Sequence, residues 1–188
     1  MASPSWILLS SRLPREPSRL RLGVWRRLRR LGAVLIHDAV WVLPADAKTR
    51  EAFDWLAEEI EEQGGTAWIW AAGGSAAQDR TLVDLFRRDA DARYAEIAAS
   101  ATGIRNAGLR GGRRGRQARA EDAAALRQAL RQLRGLERAL RLEGRRDHFR
   151  AGGRAAAASA VADAIEVLEA RELRIQPRGK GALHAVGD

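Results

Sequence analysis

The chain has 188 residues, 46% of them hydrophobic and six of them tryptophan, enough apolar surface for one substantial core with an appendage and too much for wholesale disorder. It contains no cysteine, which excludes disulfides, thiolate metal sites and cysteine nucleophiles and favours a reducing compartment. Its first continuous apolar run, Trp6-Ile7-Leu8-Leu9, falls far short of a signal sequence or the ~20 residues of a membrane span, so a cytoplasmic protein without membrane association is expected.

Trp6 to Leu13 is a short apolar segment stopped by Pro14 and reads as a strand. Between Pro17 and Leu31, Leu20, Val24, Leu28 and Leu31 recur on one helix face, and Gly32 supplies a stop. Ala33 to Ile36 and Val40 to Leu43 flank His37-Asp38-Ala39 as a hairpin closed by Pro44. Asp46 caps a second helix carrying Phe53, Leu56 and Ile60 and ending at Gly64-Gly65, and Thr66 to Ala71 forms a fourth strand. This order predicts an α+β fold, a ferredoxin-like βαββαβ sandwich over residues 1–72.

Beyond Gly73-Gly74 the periodicity is helical, and residues 73–173 are expected to form a helical extension. Leu82, Leu85, Phe86, Tyr94 and Ile97 mark a third helix, Leu126, Leu130, Leu133 and Leu140 a fourth, and Val161, Ile165 and Leu168 a fifth. Gly103 to Arg119 is rich in Gly and Arg, has no acidic residue, and is expected to be a loop. A flexible tail is expected over residues 174–188.

The formal charge of +9 is unevenly spread. Residues 1–46 hold eight Arg against three acids, 47–100 six basic against eleven acidic residues, 101–154 fifteen Arg against five acids, and 155–188 four basic against five acidic. Positive potential of this kind draws polyanions, although a GC-rich genome, which favours Arg, Ala and Gly, would also raise the arginine count. Arg19, Arg21, Arg26, Arg27, Arg29 and Arg30 form one patch on the first helix, suited to phosphates or to a solvated face whose stems cover apolar surface. Arg127, Arg131, Arg134, Arg138, Arg141 and Arg145 form a ridge at alternating four and three spacing. That ridge suits a DNA backbone, and equally the acidic row Asp163, Glu166, Glu169 and Glu172 on the last helix. Between the patches, Arg110, Arg113, Arg114 and Arg116 lie among glycines, with polyanion binding their expected use. The residues expected to touch nucleic acid are Arg19, Arg21, Arg26, Arg27, Arg29, Arg30, Arg113, Arg114, Arg116, Arg127, Arg131 and Arg134.

Little points to catalysis or to a cofactor. His37, His148 and His184 are widely separated and show no metal-ligand spacing. Gly73-Gly74-Ser75 lacks the GK[ST] of a phosphate loop, and Ser10 and Ser11 have no base partner nearby in sequence. Trp68 and Trp70 share one sheet face, with Trp6 as a third candidate. The RNA-recognition signature K/R-G-F/Y is lacking, so burial of these rings under the C-terminal helices is expected.

Several stretches together resemble a known family: Trp6-Ile7-Leu8-Leu9, Ser11-Arg12-Leu13-Pro14, Arg19-Leu20-Arg21, Trp25-Arg26, Leu31-Gly32-Ala33 and Asp38-Ala39-Val40-Trp41-Val42-Leu43-Pro44. Asp147-His148-Phe149 matches loosely a later Asp-aromatic-Phe motif. The chain resembles the N-terminal domain of the ChrB chromate-resistance proteins over residues 6 to 170, most densely before residue 72. The resemblance implies a DNA-binding transcriptional regulator linked to chromate resistance, with double-stranded DNA as partner and a homodimer as the expected assembly. His37-Asp38-Ala39 stands where the family has Arg-Asp-Gly, and Phe149-Arg150-Ala151 where it has Phe-Pro-Gly. The family's C-terminal chromate-response domain is expected to be absent, which leaves a second expectation: a non-catalytic scaffold working with a separate chromate-response protein.

Overall fold

A computed structural model describes residues 5–14, 18–110 and 116–175. In chain order the elements are β1 (Ser5–Arg12), α1 (Ser18–Leu31), β2 (Val34–His37), β3 (Val40–Pro44), α2 (Ala47–Glu62), β4 (Thr66–Gly73), α3 (Ala76–Leu109), α4 (Arg116–Arg146) and α5 (Arg154–Ile175). The protein is therefore α+β, mostly helical, with one four-stranded antiparallel sheet of order β2-β3-β1-β4. The chain divides into two compact units, residues 1–94 with 141–154 and residues 95–140 with 155–188.

In the first unit, β1 runs centrally, pairing Ile7 with Leu43 on one side and with Ala71 on the other. Period-two alternation puts Ile7 and Leu9 on one face of β1, where both are fully buried with Leu20, Val24 and Leu28 of α1 and Phe53, Leu56 and Ile60 of α2. Each such side chain contributes about 1.5–3 kcal/mol of burial. Trp6, on the opposite face, is sealed by Phe86 of α3 and Phe149, whose ring centroids lie 5.9 and 5.8 Å away. The indole of Trp6 donates to Asp79 Oδ1 at 2.8 Å.

The helix ends follow the local chemistry. Asp46 and Thr49 form a reciprocal capping box at the start of α2, with Thr49 N donating to Asp46 Oδ1 at 2.7 Å and Asp46 N donating to Thr49 Oγ1 at 3.0 Å. Gly32 ends α1 at φ +76, and a Cβ there would lie 2.5 Å from the carbonyl oxygen of Arg146. Only glycine meets both demands. The expected hairpin forms, with a bulge between Leu35 and His37.

The second unit buries Ile97 and Ala101 of α3, Leu126, Ala129 and Leu133 of α4, and Ala157, Val161, Ala164, Ile165 and Leu168 of α5. The loop expected over 103–119 is shorter, because α3 continues to Leu109 and α4 already begins at Arg116. Gly103 and Gly108 are helical, and Gly108 marks a close approach: a Cβ there would meet the Leu168 methyls at 2.9 Å. Glycine in this helix thus makes room for α5 and does not break the turn. The expected tail lies outside the described residues after Ile175. Among the described residues no helix is long and apolar enough to cross a membrane.

Candidate nucleic-acid interface

The leucine stripe of α1 faces the core, so the arginines between the leucines point outward. Arg19, Arg21, Arg26, Arg27 and Arg30 are exposed and Arg29 is half-buried. The fold then divides them. Arg27 pairs with Glu59 of α2, and Arg29 donates twice to Asp89 of α3, at 2.9 and 3.1 Å. Arg19, Arg21, Arg26 and Arg30 have no carboxylate partner among the described residues. At 100° per residue, Arg19, Arg26 and Arg30 align within about 40° of one another and span about 16 Å of helix. Trp25 and Leu22 are exposed beside this row, and the Arg29 guanidinium lies 5.9 Å from the Trp25 ring.

Arg29 also belongs to a network that sequence reading did not find. Asp89 pairs with Arg93 on the same helix, and Arg93 Nε donates to the buried carboxylate of Glu143 at 2.6 Å. Arg146 approaches the other Glu143 oxygen at 3.5 Å and donates to the backbone carbonyl of Arg29 at 3.0 Å. Burial alone would lower the pKa of Arg93, but the hydrogen bond and charge of Glu143 and the charge of Asp89 outweigh it and raise the pKa above its ordinary value. Arg146 is pushed below its ordinary value, chiefly by burial and then by the neighbouring Arg93, Arg29 and Arg30, against the attraction of Glu143. Nearby, the Tyr94 hydroxyl donates to Asp147 at 3.2 Å, and desolvation together with the Asp147 charge pushes its pKa up to about 12. Asp147 accepts from the Ala151 amide with both oxygens at 3.0 Å, and His148 Nε2 lies 3.1 Å from the carbonyl oxygen of Leu31.

In the second unit, Arg127, Arg131, Arg134 and Arg138 of α4 line a groove of about 560 Å3, with Leu130 and with Glu172 of α5. All four arginines are exposed. Arg134 bonds Glu169 at 2.6 Å and Glu137 at 3.3 Å, while Arg127, Arg131 and Arg138 have no carboxylate partner among the described residues. Neutralisation by the acidic face of α5 thus reaches one of these four, because among the described residues only Glu169 of that face comes within ion-pair distance of a groove arginine, while Asp163 accepts from Ser159 on its own helix. Arg113 and Arg114 lie outside the described residues, and Arg116 is described only as the first residue of α4.

The expected burial is overturned for Trp68 and Trp70. Trp6 is buried, but Trp68 is 64% and Trp70 56% exposed. They lie on β4, at the edge of the sheet, where the aromatic cover that Phe86 and Phe149 give to Trp6 does not extend. Ser10 and Ser11 are half-buried in β1.

Most of these residues lie within a match to a known family. A family described as "Protein ChrB, N-terminal" matches residues 21–175. The chain belongs to this ChrB N-terminal family. It is also 30% identical over 95 residues to Protein ChrB of Cupriavidus metallidurans, a match covering 49% of this chain and 28% of that protein. The match thus spans under a third of the length of this ChrB relative. No solved structure matches. The family match encloses α1 from Arg21 onward, the Glu143 network and the α4 groove, and leaves Arg19 outside it.

Proposed function

We propose that this ChrB-family chain is a DNA-binding transcriptional regulator linked to chromate resistance, cytoplasmic, non-catalytic and homodimeric, built on a ferredoxin-like sandwich. The all-antiparallel order β2-β3-β1-β4 supports the sandwich reading, since the split βαβ pattern places its first and third strands centrally. The observation that carries DNA binding is the outward row Arg19, Arg26 and Arg30 on α1, exposed and without a carboxylate partner among the described residues. Its length of about 16 Å matches roughly five base-pair steps of duplex DNA, so three guanidinium groups spaced along it reach separate phosphates of one strand. Arg127, Arg131 and Arg138 of the α4 groove form a second phosphate-binding surface by the same reasoning.

Fluorescence anisotropy with promoter duplex over a salt series tests this reading. Replacing Arg19, Arg26 and Arg30 together by Ala is expected to reduce the slope of log K against log salt by about 2 to 3, since each phosphate contact contributes about 0.9. Absence of duplex binding by the unmodified chain at low salt would overturn it.

A second reading draws on the same groove. Leu130 lies between arginines there and Arg134 already binds Glu169, a chemistry that also suits an acidic protein segment. The chain would then be a scaffold for a separately encoded chromate-response domain. Co-purification with such a domain, free of nucleic acid and lost on substitution of Arg127 and Arg131, is the result expected from it.

A further inference from the structure

Among the described residues, the sheet face that carries Trp6 is covered at Trp6 and exposed at Trp68 and Trp70. Cross-strand register places Trp68 opposite Ser10, Trp70 opposite Leu8 and Arg12 opposite Thr66, so Trp68, Trp70 and Arg12 share this face. The two indoles lie 6.3 Å apart and only 18° from parallel, each more than half exposed. Paired large aromatics left in water at a sheet edge forgo burial that a core would supply, and such patches mark binding surfaces.

The surrounding chemistry selects the occupant. The four strands contain no acidic side chain, and Arg12 is their only Asp, Glu, Lys or Arg residue. A partner with flat π faces and negative charge is therefore favoured over a neutral sugar or an apolar protein helix. Duplex DNA does not qualify, because its bases are stacked on one another; a single strand does, because it offers unstacked bases joined by phosphates.

We propose that Trp68 and Trp70, flanked by Arg12 on the same sheet face, form a stacking platform for the unpaired bases of a single-stranded nucleic acid. Each indole seats one base and Arg12 meets an adjoining phosphate. The platform is distinct from the α1 row, which meets duplex phosphates and needs no open bases.

The test uses the full chain and fluorescein-labelled single-stranded oligothymidylate and oligodeoxyadenylate, with a duplex of equal length alongside. Trp68→Ala and Trp70→Ala are each expected to weaken single-strand binding about five- to a hundredfold, and Trp68→Phe to retain most of it. Arg12→Ala is expected to lower the salt slope for single strands by about 0.7. Duplex binding is expected to be unchanged in all four variants. Because both rings are exposed, circular dichroism of the variants should match that of the parent chain.

Single-strand binding that survives the double Trp68→Ala, Trp70→Ala change overturns the proposal. So does a parent chain that binds no oligonucleotide at low salt, or one whose tryptophan pair instead governs sedimentation as an oligomer or binding to an oligosaccharide. Loss of duplex binding in the Arg19, Arg26 and Arg30 variant, with single-strand binding retained, bears on the regulatory reading alone.

Discussion

In the first unit Arg29, Arg93 and Arg146 share Asp89 and Glu143, and their guanidinium groups hold α1, α3 and the end of α4 together. In the second unit three of the four groove arginines are exposed and make no ion pair among the described residues. The same residue type thus does structural work around Glu143 and displays charge along the α4 groove. Burial makes the difference: the side chains of Arg93 and Glu143 are 14% and 4% exposed, those of Arg134 and Glu169 51% and 48%. A buried charge left without its partner is expensive, while an exposed pair is screened by water and salt.

The largest expected effect follows from removing the shared acid. Glu143→Ala leaves Arg146 without a carboxylate and Arg93 with Asp89 alone in a dry site, and should cost about 3–5 kcal/mol. All six tryptophans lie in the first unit, so urea unfolding followed by tryptophan fluorescence reports on that unit; an effect below about 1 kcal/mol would break the contrast between the units.

Next is the pH dependence set by Tyr94, the one tyrosine of the chain. Its folded pKa of about 12 exceeds the ordinary value of 10, so the neutral phenol is the form that the fold favours. The stabilisation is whole below pH 10 and is lost as pH rises from there through 12. The loss is on the order of 2 to 3 kcal/mol. Tyrosinate absorbance follows the group directly, and Tyr94→Phe should remove this contribution to the alkaline loss of stability.

A smaller effect is expected at the α2 cap, where Asp46→Ala should cost about 1 kcal/mol. The amide of Thr49 holds the Asp46 carboxyl below its ordinary pKa, so the cap is intact above the usual aspartate range and is lost as pH falls through the lowered value. A urea titration of the variant against the parent should show the difference at neutral pH and little of it in strong acid.

The smallest effect belongs to the second unit. Arg134→Ala removes two exposed pairs, to Glu137 and Glu169, and should change stability by less than about 1 kcal/mol. Circular dichroism at a helical wavelength is the appropriate probe, since this unit contains no tryptophan.

These contrasts also show what the sequence made legible. The strands and helices of the first 73 residues were readable because their signals are local: the stripe Leu20, Val24 and Leu28, the cap at Asp46, and Gly32 and Pro44 as stops. The outward arginines of α1 follow from the same stripe. The internal neutralisation of Arg29 did not, because its partner Asp89 stands 60 residues away, at a distance of 2.9 Å that only the fold creates. Gly108 read as a loop signal because close helix packing and chain breaking call for the same residue. Trp68 and Trp70 were placed on the correct shared face but expected to be buried, since alternation fixes a face and says nothing about how far a covering helix extends.

β4 has one further consequence. It pairs with β1 along its whole length and leaves its outer edge without a strand neighbour among the described residues. The segment Thr66–Gly73 carries no charge and no proline, the devices by which edge strands ordinarily discourage unwanted pairing. Concentrated solutions of the protein should therefore be prone to edge-to-edge aggregation, and a single lysine at Ala71 should be the most economical way to keep it soluble.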